Sequence, residues 1–296
     1  MNDIHPLSFN VENTQITMFI ENNIVYRHDR LFSAPHIHPI HEMYIVLDGE
    51  LIVNPKTPES FYLSQNEGCV FLPFYYHNSI SVSDVNTKRL AIKFIFKKIK
   101  NLKSEIDFYG ILNYAFNYSD KMTTFNIEQN ILNDIVSHSK DLTNEFNIII
   151  LKNIFSLIFI KIAEQNQEAF YEYKKTNPSV SNYTPSDSIE STIRFINIDY
   201  FLEKYTNGQI TFSEIAKNLY ISTKQLSRII SEKFDKNPKN FFFEYKMKRA
   251  EFFLSETDYS IKDIAEFIGY SSANTFTIMF KKYTNISPSD YRKQFR

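Results

Sequence analysis

The sequence predicts a multidomain α+β protein, in which an N-terminal β-barrel carries helices and a C-terminal all-α domain contains two helix-turn-helix motifs. Three observations lead to this prediction. Strand-like runs fill the first hundred residues, helical periodicity follows them, and one helical unit occurs twice near the C-terminus. The length of 296 residues allows more than one domain, and the 43% of hydrophobic residues is enough for real cores.

Residues 1–100 have the pattern of short β-strands. Runs such as "HEMYIVLDGELIV" and "RLAIKFIFKK" are rich in Ile, Val, Phe and Tyr, and turn signals such as "NPKTPES" separate them. Several short strands at close spacing are typical of a sandwich or a barrel. We therefore predict a β-barrel domain over residues 1–100.

Residues 101–173 change to helical periodicity, with apolar side chains such as Ile131 and Ile135 four positions apart. The most apolar stretch, "IIILKNIFSLIFIKIAEQ", contains Lys152 and Lys161. Its uncharged part is shorter than the roughly 20 residues that span a bilayer. It therefore predicts a buried helix rather than a membrane segment.

Residues 174–188 predict a linker, because they are rich in Ser, Asn, Thr and Pro and poor in large aliphatic side chains. A separate helical domain would then cover 189–296. Residues 209–296 hold fifteen Lys and Arg against ten Asp and Glu, whereas the rest of the chain holds eighteen against twenty-four. A basic end on an otherwise acidic chain indicates an anionic partner for that end.

The cysteine content and the N-terminal residues indicate the cellular compartment of the protein. The single cysteine, Cys69, cannot form an internal disulfide, and the first residues lack the pattern of a signal peptide. Both observations favour a reducing compartment, so we expect a cytoplasmic protein without a membrane partner.

The helical unit in residues 212–241 recurs in residues 261–292. The matched positions lie 49 residues apart before the turn and 50 apart after it, so one residue is inserted at the turn. The matches are Ile215 with Ile264, Ala216 with Ala265, Leu219 with Ile268, Ser222 with Ser271, Leu226 with Phe276, Ile230 with Phe280, Pro238 with Pro288 and Phe241 with Tyr291.

Each copy predicts a short capped helix, a tight turn and a second helix that begins at a serine. Thr211 with Glu214, and Ser260 with Asp263, have the spacing of a capping box. This arrangement is a helix-turn-helix, whose second helix enters the DNA major groove. The intervening segment "FFEYKMKRAEFFL" predicts a helix that holds the two copies apart.

The segment "KRAEFFLSETDYSIKDIAEFIGYSSANTFTIMFKKYTNISPSDYR" resembles the C-terminal signature of AraC/XylS-type bacterial transcription regulators. The resemblance covers roughly residues 189–296. Two departures are Tyr220 and Asp235, where the family often has Gly. The resemblance implies a sequence-specific regulator of transcription, more often an activator than a repressor. It also implies double-stranded DNA as partner, a homodimer, and RNA polymerase as a further partner.

The second helix of each copy supplies the candidate DNA contacts. Arg is the commonest partner of guanine, Asn pairs with adenine, and an aliphatic side chain can touch a thymine methyl. The predicted base readers are Thr223, Lys224, Ser227 and Arg228 in the first copy, and Ala273, Asn274, Thr277 and Ile278 in the second. The predicted phosphate contacts, which fix register and affinity, are Lys233, Lys281 and Lys282.

Two N-terminal segments, "HIHPIHEMYIVLDG" and "GCVFLPFYYH", resemble the two cupin motifs. In metal-binding cupins the positions of His36, His38, Glu42 and His77 bind a divalent ion, whereas in regulators of this kind the resemblance implies a sensor without metal, cofactor or turnover. We therefore predict a small-molecule effector site, and a sugar would suit stacking on Tyr. The predicted effector residues are His36, His38, Glu42, Tyr75, Tyr76 and His77.

Two alternatives to a ligand-responsive regulator stay open at this point. One is a cupin metalloenzyme fused to a DNA-binding module, and the other is a constitutive regulator whose barrel only dimerises. The helices of residues 101–173 would either close the barrel or form the dimer. For the dimer, the predicted face is Ile131, Ile135, His138 and Leu142.

Overall fold

The computed structural model describes residues 4–21, 25–28, 32–36, 40–55, 57–73, 75–82, 87–119, 122–177, 205 and 211–295. Within these ranges an N-terminal region of β-sheet and helices precedes a C-terminal region of helices, as the sequence predicts. The predicted linker lies outside the described residues beyond Asn177, and residues 174–176 belong to the preceding helix.

Eleven strands are found in the described residues. They are β1 (Ile4–Val11), β2 (Thr14–Glu21), β3 (Val25–His28), β4 (Phe32–His36), β5 (His41–Asp48), β6 (Glu50–Val53), β7 (Phe61–Ser64), β8 (Glu67–Phe71), β9 (His77–Ser81), β10 (Thr87–Lys98) and β11 (Thr123–Asn126).

The strands form two antiparallel sheets. The larger sheet has the order β1-β2-β10-β5-β8-β11, with β3 also paired to β10, and the smaller sheet has the order β4-β9-β6-β7. Strand β11 pairs with β8, with Thr123 opposite Val70 and Asn126 opposite Glu67. A strand after residue 100 therefore completes the sheet edge, so the predicted boundary at 100 does not separate sheet from helices.

Three helices follow or flank the larger sheet: α1 (Phe108–Asn117), α2 (Gln129–His138) and α3 (Glu145–Thr176). They cover one face of the larger sheet, where Met43 and Ile92 share a core with Phe155 of α3. The other face of the larger sheet packs on the smaller sheet, where Tyr44 and Leu51 belong to one cluster. Strand β5 is buried on both faces because a core lies on each side of it.

Helix α3 contains the apolar stretch that the sequence predicted to be a buried helix. Among the described residues it is the one helix long and apolar enough to cross a bilayer by length and composition alone, which is weak evidence for a span. Phe155, Phe159 and Ile162 of this helix are fully buried in the N-terminal core. This packing confirms the prediction for those residues.

The predicted dimer face is wrong. Ile135 is completely buried and Leu142 is 6% exposed, and both belong to the core beneath the larger sheet. His138 is half-buried, with Nδ1 2.8 Å from Oδ1 of Asn147. Helical periodicity shows that one face of α2 is apolar, but the neighbour that covers this face is α3, not a second chain.

Six helices form the C-terminal region of the described chain. They are α4 (Phe212–Asn218), α5 (Thr223–Phe234), α6 (Pro238–Glu256), α7 (Ile261–Phe267), α8 (Ala273–Thr284) and α9 (Pro288–Phe295). We call α4 with α5 the first helical pair, and α7 with α8 the second helical pair.

Helix α6 contributes to the core of both helical pairs. Its first half places Phe241 and Tyr245 against the first pair, and its second half places Met247 and Leu254 against the second. The predicted core residues Leu226, Ile230, Phe276 and Phe280 are all at most 1% exposed, which confirms them. The predicted connecting helix is therefore present and spans both cores.

Candidate nucleic-acid interface and ligand site

The first helix of each pair starts at a capping box, as the sequence predicts. The amide of Glu214 donates to Thr211 Oγ1 at 3.2 Å, and Glu214 Oε2 accepts from the Thr211 amide at 2.7 Å. Ser260 and Asp263 repeat the exchange at 3.1 and 3.2 Å. The amide and hydroxyl of each cap residue donate to the carboxylate and hold the pKa of the Glu214 and Asp263 carboxyls below its ordinary value, because they favour the charged form.

The second helix of each pair also begins at a defined serine. Ser222 caps α5 in a capping box with Gln225, and Ser272 caps α8 by accepting from the Thr275 amide at 3.1 Å. Both helices end at a residue with a left-handed backbone, Asp235 with φ 50° and Asn285 with φ 67°. The left-handed region favours Gly, which explains why Gly is common in the family where this chain has Asp235.

The predicted base readers lie on the outer side of α5 and α8, opposite the core. Thr223, Lys224 and Arg228 are exposed and Ser227 is half-buried. In the second pair, the predicted readers on α8 are also at the surface. Asn274 is exposed, Ile278 is 67% exposed, and Ala273 and Thr277 are half-buried.

Two of the predicted phosphate contacts are also at the surface. Lys281 and Lys282 are exposed in the last turn of α8. Lys233 lies in α5, but its side chain is outside the described residues. The second helix of each pair therefore has polar or cationic side chains on its outer side and apolar side chains buried in the core on its inner side. Such a helix can enter a DNA groove while its inner side stays packed.

Between the two sheets, three predicted effector residues come together. His77 Nε2 lies 2.9 Å from Glu42 Oε2, and His36 Nε2 lies 3.6 Å from the same oxygen. His36 and His77 are cross-strand neighbours on β4 and β9, with ring centroids 4.2 Å apart. We call these three residues the His–Glu cluster.

Hydrogen bonding fixes the orientation of the His77 ring. Its Nδ1 lies 3.0 Å from the carbonyl oxygen of Tyr75, and a carbonyl can only accept, so Nδ1 carries a proton. Nε2 therefore either carries a second proton and donates to the Glu42 carboxylate, or accepts from a protonated Glu42 carboxyl. The cluster is consequently a place where a proton, a cation or a donor group of a ligand is stabilised.

Aromatic and polar groups surround the His–Glu cluster. The Phe71 ring stacks on the His77 ring, with ring centroids 4.0 Å apart and an angle of 9° between the ring planes. The Arg89 guanidinium lies 3.7 Å from the centroid of the Tyr44 ring. The hydroxyl of Ser79 is buried and has no hydrogen-bond partner among the described residues. Such a mixture of aromatic faces and a few polar groups is typical of small-molecule sites.

The other predicted effector residues do not all join this cluster. Tyr75 is half-buried, and its hydroxyl accepts from Asn54 Nδ2 at 3.2 Å. The Tyr76 ring lies against the C-terminal helices instead, 6.4 Å from the ring of Tyr245. His38 lies outside the described residues.

Arg89 and Ser79 were missed in the sequence, although a signal for them existed. In β10, alternation puts Leu90 and Ile92 on the helix side, so Arg89 faces the smaller sheet. In β9, the same alternation puts Ser79 on the side of His77. The alternation of side chains along a strand therefore places Arg89 and Ser79 near the His–Glu cluster once the position of the cluster is known.

Comparison with known proteins adds to this geometry. The profile of a helix-turn-helix domain matches residues 215–294, which include both helical pairs. This part of the chain is a helix-turn-helix DNA-binding domain. It is of the AraC type, as its sequence signature predicts.

Two relatives have the names of transcription regulators. An uncharacterized HTH-type transcriptional regulator, YtdP of Bacillus subtilis, is 32% identical over 100 residues, which are 34% of this chain and 13% of that protein. The lactose operon transcription activator of Staphylococcus xylosus is 26% identical over 54% of this chain and 52% of that protein. The chain thus spans about half, or much less, of the length of these relatives.

Among solved structures, an apo form of ToxT from Vibrio cholerae is 16% identical to this chain. The match covers 97% of this chain and 99% of that one, with a TM-score of 0.35. A TM-score of this size does not establish a shared overall fold.

Proposed function

We propose that the chain is a sequence-specific transcription regulator of the cytoplasm, in which both helical pairs are helix-turn-helix motifs. Helices α5 and α8 would enter successive major grooves, about 34 Å apart, on one side of double-stranded DNA. The observation that carries the proposal is the repeat itself. Caps, turns, buried residues and left-handed helix ends recur in both pairs, and the outward sides carry the predicted readers.

Selection of binding sites tests this proposal. The full chain would be incubated with a random duplex library, and the bound duplexes sequenced. We expect a bipartite site whose affinity falls steeply with salt, because Lys and Arg displace counterions from phosphates. Enrichment of no sequence over the starting library would contradict the proposal.

The N-terminal region is proposed as the sensor, with a cupin-like closed barrel and a small-molecule effector at the His–Glu cluster. The polar atoms of His36, Glu42 and Ser79 could hydrogen-bond the hydroxyl groups of a sugar, which supports this proposal. The name of the lactose operon activator also supports a sugar and an activating role, in which RNA polymerase would be a further partner. Titration of sugars against the intrinsic fluorescence of tyrosine tests the site, and a Glu42→Gln variant serves as control.

A homodimer is proposed through α3 rather than α2. Besides Tyr171, four large apolar side chains of α3 are exposed, from 41% to 76%: Phe146, Ile149, Leu157 and Ile160. Ile149, Leu157 and Ile160 follow Phe146 by three, eleven and fourteen residues. These spacings are close to whole numbers of helical turns, so all four side chains lie on one face of α3. The family resemblance implies a second copy of the chain as partner, and we assign that partner to this face.

One observation favours the alternative of a metal centre. The ligand atoms of His36, Glu42 and His77 lie within 4.8 Å of one another, and two imidazoles with a carboxylate suit a divalent transition metal. Metal analysis of the purified chain separates the alternatives. A stoichiometric metal that is lost in His36→Ala would favour the metal centre, whereas metal-free chain that binds its selected duplex favours the regulator without metal.

A further inference from the structure

Strand β9 presents its side chains to two different parts of the molecule. His77 points between the sheets toward Glu42, and alternation places Ser79 on the same side. Tyr76, just before the strand, and Ile80 point the other way and pack on the C-terminal helices. One peptide bond therefore separates a member of the His–Glu cluster from a residue in contact with the DNA-binding domain.

The partner of Tyr76 in the C-terminal region is α6. The Lys248 ammonium lies 4.8 Å from the centroid of the Tyr76 ring, and the Tyr245 ring lies 6.4 Å away. Burial beside Tyr245 and Glu244 raises the pKa of the Tyr76 hydroxyl, so this side chain stays neutral. Tyr76 is a half-buried aromatic side chain packed between two elements, and such packing transmits a displacement of one element to the other, because close-packed side chains resist compression.

The contact falls at the middle of α6, where the two cores of the DNA-binding domain meet. Tyr245 is the last buried α6 residue in the core of the first helical pair, and Met247 is the first buried α6 residue in the core of the second. A force applied between them acts on the relative orientation of the two pairs. It therefore acts on the distance between the two predicted reading helices.

Both histidine-bearing strands take part in this interface. Strand β4, which carries His36, also packs on α6, and it pairs with β9 at His36 and His77. A ligand that separates or draws together the two imidazoles would move the two strands that lie against α6.

The side of α6 that meets the sensor carries charged residues. Glu244 and Lys248 lie four residues apart on α6, both are near Tyr76 and half-buried, and Glu244 pairs with Lys236. Charged groups make a domain interface easier to open than an apolar one, because water can solvate them when the domains part.

We propose that Tyr76 couples the His–Glu cluster to the midpoint of α6, so that the state of the cluster sets the affinity of both reading helices for DNA. This coupling rests on the proposed function as a DNA-binding regulator with an effector site. The new element is the physical connection between the effector site and the DNA-binding helices, which neither the helical repeat nor the His–Glu cluster defines by itself.

A double-mutant cycle on the full chain tests the coupling. Glu42→Gln alters the cluster without changing its shape, Tyr76→Ala removes the contact with α6, and the duplex is the one selected by the wild-type chain. We expect Glu42→Gln to change the dissociation constant by about fivefold or more when Tyr76 is present, and by less than about twofold in the Tyr76→Ala background. An equal change in both backgrounds, or no change in either, overturns the proposal.

A matched control and a second readout make the test specific. Tyr62→Ala removes an exposed tyrosine of β7 from the same sheet, and the effect of Glu42→Gln should persist in that background. Lys248→Met removes the cation above the Tyr76 ring from the α6 side and should weaken the coupling in the same direction as Tyr76→Ala.

Amide hydrogen exchange across residues 243–249 reports on the coupling without DNA. Glu42→Gln should change exchange in this segment when Tyr76 is present and leave it unchanged in Tyr76→Ala. If the wild-type chain selected no duplex but this exchange pattern held, the proposed function would fail and the coupling would stand. If duplexes were selected but neither exchange nor affinity depended on Tyr76, only the coupling would fail.

Discussion

Tyr220 and Gly269 occupy the same place in the two helical pairs, 49 residues apart, and both have a left-handed backbone, with φ 55° and 74°. Each lies in the turn that joins the first helix of its pair to the second. The turn therefore needs a positive φ in both copies, which glycine adopts freely and tyrosine adopts at a cost. The Tyr220 side chain is 83% exposed, so little packing compensates for this cost.

Replacing Tyr220 by glycine should stabilise the DNA-binding domain. We expect Tyr220→Gly to raise the free energy of unfolding by about 1 kcal/mol, because the strain of the left-handed residue is removed. Urea unfolding followed by circular dichroism measures it. Tyr220→Ala is the matched control, since it loses the aromatic ring but keeps the Cβ, and it should not stabilise. Equal gains for both variants would show that the ring, not the backbone, is unfavourable.

Arg228 and Lys281 should have different effects on DNA binding. Arg228→Ala should cost about 1–3 kcal/mol on the selected duplex and relax the base preference in one half of the site, because a base contact is lost. Lys281→Ala should weaken all duplexes alike and lower the slope of affinity against salt by about one. Binding to a panel of single-base variants over several salt concentrations measures both. Equal losses on every duplex for Arg228→Ala would refute its role as a reader.

The sequence predicted the C-terminal region well because its determinants are local. The capping pairs Thr211 with Glu214 and Ser260 with Asp263 lie three residues apart, and the core positions follow the helical period, so neither depends on distant neighbours. The resemblance to the cupin motifs groups His36, Glu42 and His77 with His38, and the first three lie together in the structure.

What failed depends on contacts between distant segments. Pairing of β11 with β8 joins residues more than fifty positions apart, and the periodicity of α2 shows an apolar face without showing that α3 covers it. Tyr76 was assigned to the effector site with His77, although strand alternation sends neighbouring side chains to opposite sides.

Asp107 should make the stability of the N-terminal domain depend on pH. It caps α1, and its carboxylate accepts from Asn13 and Gly110 and pairs with Lys174 of α3 at 3.3 Å. Burial alone would raise the pKa of Asp107, but these partners, with Lys98, hold it below the ordinary value. Since the folded pKa is depressed, the stabilisation is complete above the unfolded pKa and is lost as the pH falls through the folded one.

Asp107→Asn should therefore lower the free energy of unfolding by about 1–2 kcal/mol at neutral pH, since a cap and charged hydrogen bonds are lost. The difference from the wild type should shrink as the pH falls below the ordinary pKa of an aspartate. Urea unfolding over a pH series measures it. The exposed Asp134 of α2 provides the control variant Asp134→Asn. A difference that stays constant with pH would exclude the charge of Asp107 as its cause.

The exposed apolar face of α3 should hold the proposed dimer together. Ile160→Asp should raise the dimer dissociation constant about tenfold or more, because a buried charge would replace an aliphatic contact. Sedimentation velocity over a range of concentrations measures it. Val82→Asp, at an exposed apolar position outside α3, is the control and should leave the dimer intact. A chain that is monomeric at all concentrations, or a dimer unaffected by Ile160→Asp, would contradict this interface.

Protection of guanine N7 from methylation tests most directly whether the two pairs read two neighbouring turns of DNA. On the selected duplex we expect two protected major-groove patches about ten base pairs apart. Arg228→Ala should remove protection from one patch and Asn274→Ala should weaken the other. A single protected patch, or loss of both patches together in either variant, would contradict reading by two separate helices.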